Sequence, residues 1–135
     1  MIIHKLKLFF IYLTFIVFSI SCIANTNYYV SSSEGKDSNS GQSPEKPWKT
    51  LEKVNWVKLK PGDSVHFKSG DIFAGQLVVD ESGDEGAPIH FTAYGEGALP
   101  VIDGSAVKRG GSHLAAILVE DQDRIELSYL KITNF

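Results

Sequence analysis

The segment from Tyr28 to Gly75 reads YYVSSSEGKDSNSGQSPEKPWKTLEKVNWVKLKPGDSVHFKSGDIFAG, and it decides the fold class of this chain. Its pattern predicts a strand, a polar loop, a short amphipathic helix, a Pro-Gly-Asp turn and a second strand. The helix is expected to begin at Pro47, which suits a first helical turn, and to end before Pro61. An apolar stripe at spacings of three follows from Trp48 to Val57, and it would let this helix cover the open end of a stack of strands.

From Pro61 onward, short apolar pieces alternate with Gly, Asp and Pro turns, and these pieces recur with a fixed spacing. Val65-His66-Phe67 returns 24 residues later as Ile89-His90-Phe91, while Leu77, Val101 and Ile125 are also 24 apart. A repeat of this length is typical of one winding of a β-solenoid. We therefore expect Val65 to stack on Ile89 and Phe67 on Phe91, with His66 and His90 adjacent on the outer surface.

These motifs together resemble a known fold family. The segments Tyr29–Ser31, Gly35–Gly41, Pro47–Leu51, Pro61–Val65 and Pro100–Gly104 are similar to the N-terminal region of secreted right-handed parallel β-helix proteins of the pectate lyase-like superfamily. The resemblance implies a mostly β fold that opens with an N-terminal amphipathic capping helix. It divides the chain into an export signal (1–24), a strand, loop and capping helix (25–60) and the first coils of an incomplete β-helix (61–135).

The same resemblance implies a function. Related proteins are commonly polysaccharide lyases or glycoside hydrolases, so this chain is expected to be the N-terminal part of a protein acting on acidic polysaccharide, with calcium as a cofactor of the full-length parent. The matching catalytic positions would lie beyond Phe135, so no catalytic residue is carried over and the fragment itself is expected to be inactive. A non-catalytic cell-surface carbohydrate-binding or adhesive β-solenoid is the alternative, because fold alone does not determine function.

The first residues form an export signal. Lys5 and Lys7 precede a largely apolar run from Leu8 to Ile20, which is too short to cross a bilayer as a helix. Cleavage after Ala24 would leave a protein without thiols, located in the periplasm, outside the cell or at its surface. Cleavage before Cys22, the single cysteine, would instead give a lipid anchor, since Ser19-Ile20-Ser21-Cys22 resembles a bacterial lipobox with Ser19 in place of the usual Leu.

The charge balance excludes one class of partner. The chain has 13 basic and 16 acidic residues, for a formal charge of −3. A chain with this balance has no basic field for nucleic acid. Polysaccharide is the expected partner, and contact with a membrane is expected only through the lipid anchor.

Several polar groups are candidate sites. Asp37 and Asn39 have the D-x-N-x-G spacing that begins some calcium loops, but position twelve of the loop is Trp48 rather than an acid, so local backbone hydrogen bonds are the favoured interpretation. His66 and His90 on one face could share a metal. The acidic runs Asp80–Glu85 and Asp121–Glu126 are interpreted as solvated turns, with a cation site or a glycosidase carboxylate pair as the alternatives.

The two tryptophans have different expected environments. Trp48 is expected to be buried beneath the helix. Trp56 lies off the apolar stripe, where its ring could stack on a sugar.

Overall fold

The computed structural model describes residues 24–107 and 114–134. Residues 1–23 of the export signal, including Cys22, lie outside the described residues. The order of elements is strand β1 (Asn27–Val30), helix α1 (Leu51–Trp56), then strands β2 (Ser64–Lys68), β3 (Ile72–Ala74), β4 (Leu77–Val79), β5 (Ile89–Tyr94), β6 (Val101–Asp103), β7 (Ile117–Val119), β8 (Ile125–Leu127) and β9 (Lys131–Thr133). A 3₁₀ turn, Gly104–Ala106, follows β6. No helix within the described ranges has the length and apolarity that a membrane crossing requires.

The strands form three parallel sheets, each of which gains one strand per winding of the chain. The first sheet has the order β1-β2-β5-β8, the second β3-β6-β9 and the third β4-β7. Every strand pair in these sheets is parallel. The fold is therefore mostly β and of the β-helix type, as the sequence predicted.

The expected uniform spacing of 24 residues is wrong. Val65 pairs with Phe91, 26 residues on, and Phe67 pairs with Ala93. Ile72 pairs with Val101 in the second sheet, and Leu77 pairs with Ile117 in the third. The spacing varies because the turns that join the sheets differ in length, whereas strands pair by backbone hydrogen bonds and tolerate loops of any length between them.

The inward-facing residues were nevertheless predicted correctly. A register shift of two residues keeps every side chain on the same face, whereas a shift of one would reverse them all. Val65, Phe67, Ile89 and Phe91 are all buried. They pack into one core with Phe73 and other apolar residues: Val30, Trp48, Leu51, Val54, Leu59, Leu77, Val79, Ile102 and Ala116.

Helix α1 begins later than the sequence predicted. Pro47 and Trp48 are not helical, because the backbone of Trp48 bonds to β1: its N–H donates to the Tyr29 carbonyl over 2.9 Å and its carbonyl accepts from Ser31 N–H over 2.8 Å. Thr50 is the N-cap instead, and its hydroxyl oxygen accepts the N–H of Lys53. The predicted stripe is still buried at Trp48, Leu51 and Val54. The segment around Trp48 thus covers the outer edge of β1, and α1 follows it.

Candidate functional site

The outer face of the first sheet carries a continuous set of polar and aromatic side chains. Strands β2 and β5 alternate buried residues with residues that point away from the core, and the parallel register places residues of β1 and β8 beside the latter. We call this surface the outer face. It consists of Asn27, Tyr29, Ser64, His66, Lys68, His90, Thr92, Tyr94 and Glu126.

The parallel register arranges these residues in two rows across the windings. One row joins Tyr29 to His66 and His66 to Thr92. The other joins Asn27, Ser64, His90 and Glu126. Residues that are far apart in the sequence are therefore neighbours on one surface.

Two aromatic rings of the first row, Tyr29 and His66, form a group with Tyr94. The ring of Tyr29 stacks on His66 with centroids 5.0 Å apart, and the rings of Tyr94 and Tyr29 are nearly perpendicular with centroids 5.2 Å apart. Burial, reinforced by the nearby His90, lowers the pKa of His66. Burial and the carboxylates of Asp71 and Glu34 raise the pKa of Tyr94 to about 12. Tyr29, His66 and Tyr94 therefore form an aromatic cluster on the outer face, and aromatic side chains can pack against the C–H groups of a sugar ring.

Hydrogen-bonding groups surround the aromatic rings. His90 Nδ1 lies 3.1 Å from Glu126 Oε2, and His66 Nε2 lies 3.1 Å from Asn27 Oδ1. Glu126 is exposed, so its second oxygen can reach a ligand. Carboxylate, amide and hydroxyl groups beside aromatic rings can bind the hydroxyls of a carbohydrate.

The predicted pairing of the two histidines is wrong. Both lie on the outer face, as expected, but His66 is opposite Thr92 and His90 is opposite Ser64, because of the two-residue shift in register. Within the described ranges, no three His, Cys, Asp or Glu side chains are grouped so as to hold a metal ion.

Asp37 and Asn39 make contacts inside the protein. The carboxylate of Asp37 accepts three hydrogen bonds, from the N–H groups of Lys49 and Thr50 and from the Thr50 hydroxyl. Asn39 donates its side-chain N–H to the Pro47 carbonyl over 2.8 Å. Burial opposes ionisation, but these hydrogen bonds outweigh it and lower the pKa of Asp37. Both side chains thus hold the loop against the start of α1, and calcium binding there stays a prediction.

The two acidic runs lie in turns. In the first, Lys58 Nζ bridges Asp80 Oδ2 at 2.8 Å and Glu81 Oε1 at 3.0 Å. Burial and the adjacent Asp80 raise the pKa of Glu81, while the hydrogen bond from Lys58 lowers that of Asp80.

Of the acidic residues in the second run, Glu126 alone belongs to a strand, β8, and it faces the outer surface. Asp121 and Asp123 are exposed between β7 and β8. The solvated-turn interpretation therefore fits both of these aspartates.

The tryptophans occupy the two environments that were expected. Trp48 is 4% exposed, and its ring stacks on Tyr28 with centroids 4.8 Å apart. Its indole N–H donates to the Asn39 carbonyl. Trp56 is 84% exposed at the end of α1.

A shallow pocket beside α1 is the weaker candidate site. It is lined by Ser32, by residues 49–52 and by β3, and it has a volume of about 200 Å³. Ligand pockets usually measure roughly 300–1,000 Å³. The outer face carries more aromatic and hydrogen-bonding side chains than this pocket, so it is the better candidate site.

Among the residues of this surface that sequence reasoning missed are its two tyrosines, Tyr29 and Tyr94. The signal that could have found them is the alternation of β-strands: Tyr29 is next to the buried Val30, and Tyr94 lies three residues after the buried Phe91. Their meeting depends on which strands are neighbours, which no local pattern shows.

Comparison with known proteins indicates carbohydrate-active relatives. No family model matches the chain. A lacto-N-biosidase from Bifidobacterium longum subsp. longum is 38% identical in an alignment 133 positions long, which covers 82% of this chain and 8% of the relative. The native crystal structure of a GH136 lacto-N-biosidase from Eubacterium ramulus superimposes with a TM-score of 0.72 at 32% identity, covering 81% of this chain and 20% of that one.

A rhamnogalacturonan lyase is also similar. It superimposes with a TM-score of 0.63 at 25% identity, over 80% of this chain and 28% of that one. The chain thus spans less than a tenth of the curated relative and about a fifth of the solved GH136 structure. Its homologues include glycoside hydrolases of the β-helix type, and it corresponds to a small part of them.

Proposed function

We propose that this chain forms the first coils of an exported glycoside hydrolase with a right-handed parallel β-helix of the pectate lyase-like superfamily, and that the whole protein cleaves an oligosaccharide. The observation that carries the proposal is the 38% identity to a lacto-N-biosidase across 82% of the chain. The superposition on a GH136 lacto-N-biosidase supports it, since sequence and fold lead to the same relatives.

In this proposal the described coils contribute sugar contacts, while the bond-breaking groups belong to later coils. The outer face supplies a cluster of aromatic rings and hydrogen-bonding groups. Hydrolysis of a glycoside usually requires two carboxylates at a set separation, and Glu126 is the outer-face carboxylate on the last winding. We expect the substrate to run along the outer face toward the windings that follow.

The charge of the chain favours a neutral oligosaccharide over the acidic polysaccharide first expected. The chain carries a formal charge of −3, and its outer face has one carboxylate, Glu126, and one lysine, Lys68, whose ammonium is already paired with Glu34 at 2.6 Å. A polyuronate would be repelled unless calcium bridged the two. The second candidate, a calcium-dependent lyase, is favoured by the superposition on a rhamnogalacturonan lyase.

Export is part of the proposal. The basic and apolar residues before Ala24 would direct the chain out of the cytoplasm, with or without a lipid on Cys22. Mass spectrometry of the intact protein, purified from bacterial membranes and from the medium, tests export and lipidation. A mature chain that begins at Asn25 indicates a soluble protein, a diacylated Cys22 indicates an anchored one, and an unprocessed Met1 in the cytoplasm would contradict export.

Activity measurements separate the functions. The 135-residue chain and the whole protein that carries it are incubated with a chromogenic lacto-N-bioside and, in parallel, with rhamnogalacturonan in the presence of calcium. We expect the whole protein to release the chromophore and the chain alone to be inactive. Formation of an unsaturated uronide would establish the lyase instead. Sugar binding without turnover by the whole protein would indicate an adhesive solenoid.

A further inference from the structure

Lys68 is the one lysine of the outer face, and it lies at the edge of the aromatic cluster. It follows His66 by two residues on β2, so both side chains point away from the core. Its register partner on β5 is Tyr94, whose ring packs against Tyr29. A free ammonium at this position would attract an anionic ligand to the aromatic rings.

The ammonium of Lys68 is not free, because a carboxylate from another segment is paired with it. Lys68 Nζ lies 2.6 Å from Oε2 of Glu34, and 28% of the lysine side chain is exposed. Glu34 belongs to the polar loop that follows β1. Two charges from distant parts of the sequence thus form one ion pair beside the aromatic cluster.

The backbone around Glu34 is fixed by its neighbours. The N–H of Glu34 donates to the Ser31 hydroxyl over 3.1 Å, and that hydroxyl donates to Asp71 Oδ2 over 2.8 Å. Ser31 is fully buried. A Cβ at the next residue, Gly35, would collide with the Trp48 carbonyl oxygen, so the chain is closely packed here. Glu34 is therefore held at the edge of the outer face by contacts that do not involve its own carboxylate.

The ion pair affects the local charge more than the stability of the fold. The side chain of Glu34 is 66% exposed, and ion pairs at such positions contribute little to stability because water screens them. Burial raises the pKa of Tyr94 to about 12, and the carboxylates of Asp71 and Glu34 add to this effect. The field that opposes a phenolate at Tyr94 would also oppose a ligand carboxylate placed against the same ring.

We propose that Glu34 sets the charge selectivity of the outer face: it occupies the ammonium of Lys68, so that neutral sugars bind to the aromatic cluster in preference to uronates. This inference deepens the function proposed above and rests on it, because the ligand is taken to be a carbohydrate. Glu34 determines specificity here and has no part in bond cleavage. Charged groups at a binding surface act in this way on the choice of ligand more than on affinity.

The test compares digalacturonate with its methyl ester, which lacks the negative charges, in calorimetric titration of the 135-residue chain. We expect the unaltered chain to bind the ester more tightly. Glu34→Gln should shift the ratio of the two affinities about fivefold toward the acid, since the freed ammonium can pair with a carboxylate. High salt should reduce this shift, because salt screens the new pair. The melting temperature should be unchanged.

Two further variants control for other effects of the substitution. Glu85→Gln removes the same charge from an exposed turn before β5 and should leave the ratio of affinities unchanged. Glu34→Gln combined with Lys68→Gln removes the ammonium as well and should cancel the shift. An equal shift in Glu85→Gln, or a shift that persists in the double variant, would overturn the inference.

The outcomes distinguish this inference from the proposed function. If the unaltered chain binds acid and ester equally, or binds neither, Glu34 does not set selectivity. The glycosidase proposal still stands in that case if the whole protein cleaves the chromogenic lacto-N-bioside. Selectivity that depends on Glu34, beside release of an unsaturated uronide by the whole protein, would support the role of Glu34 and refute the glycosidase.

Discussion

Single buried carboxylates join segments that are distant in the sequence. Asp63 is 2% exposed, and its two oxygens accept the N–H groups of Thr26 and Lys60 at 2.9 Å each. It therefore holds β1 against the turn that precedes β2. Asp71 acts similarly at the other end of β2, where Oδ2 accepts the Ser31 hydroxyl and the Ser33 N–H.

Replacing Asp63 should destabilise the chain strongly. Asp63→Ala leaves two backbone N–H groups without an acceptor, and we expect a loss of about 3 kcal/mol in the free energy of unfolding. Asp63→Asn keeps one acceptor oxygen and should lose roughly half as much. Urea unfolding followed by circular dichroism measures both, with Glu85→Ala in an exposed turn as the control. Equal stability of Asp63→Ala and the control would show that these hydrogen bonds contribute nothing.

Asp71 should make stability depend on pH in the acid range. Burial alone would raise its pKa, but hydrogen bonds from Ser33 and Ser31, with the charge of Lys68, outweigh burial and lower the pKa below the ordinary 3.8. A lowered pKa in the folded state stabilises the protein above pH 3.8, and this contribution is lost as the pH falls through the folded-state value. The free energy of unfolding, measured with denaturant from pH 6 downward, should decline less steeply in Asp71→Asn than in the unaltered chain. A decline identical to that of the unaltered chain would rule this out.

Among the elements, the short helix α1 acts as a substitute for a strand. Asn55 donates its side-chain N–H to the Gln76 carbonyl over 2.9 Å, and its Oδ1 accepts the N–H of Val78 over 3.0 Å. These two bonds reproduce those that a neighbouring strand would make with β4, whose strand partner among the described residues is β7. An uncovered strand edge invites association, and the side chain of Asn55 covers this one.

Removing this side chain should loosen the helix from the sheet. We expect Asn55→Ala to lower the free energy of unfolding by about 2 kcal/mol, because the Val78 N–H and the Gln76 carbonyl each lose the hydrogen bond to this side chain. Hydrogen exchange of the Val78 amide should accelerate more than that of Phe67 in the centre of β2. Glu52→Ala, on the exposed side of the same helix, serves as the control. If Val78 exchange is unaltered in Asn55→Ala, the helix does not protect this edge.

Helix α1 also shows what a local sequence pattern can and cannot predict. The spacing of Leu51 and Val54 correctly predicted a buried helical stripe, because amphipathicity is a local property. The predicted start of the helix at Pro47 was wrong, because proline is acceptable in a first helical turn and equally compatible with extended backbone. Pairing of the next residue, Trp48, with β1 decided between the two.

For the molecule as a whole, the two ends of the coil differ. The N-terminal end is covered by Trp48 and α1. On the last described winding, Leu127 is 45% and Ile132 42% exposed, and β8 and β9 are the last strands of their sheets. Each of these strands is paired with a preceding strand along one edge, and its other edge has no strand partner among the described residues. The free edges and the exposed apolar side chains make this end suited to receive a further strand.

We therefore expect the 135-residue chain to self-associate when it is isolated. Sedimentation velocity should show the average sedimentation coefficient rising with concentration. Ile132→Lys should reduce this association, since a lysine on an edge strand disfavours pairing. Leu99→Lys, at a similarly exposed residue in a turn of the middle winding, should not. A compact monomer at all concentrations would contradict the expectation.

The amino-acid sequence alone determined the class of fold, the alternation of buried and exposed residues, and the apolar stripe of the helix. These follow from periodicity within a few residues, which local geometry imposes. The tertiary structure decided the register, the partners of each strand and the meeting of Tyr29, His66 and Tyr94 on one surface. Such contacts depend on the lengths of the turns between sheets, and a turn can gain residues without changing the pattern of the strands that it connects.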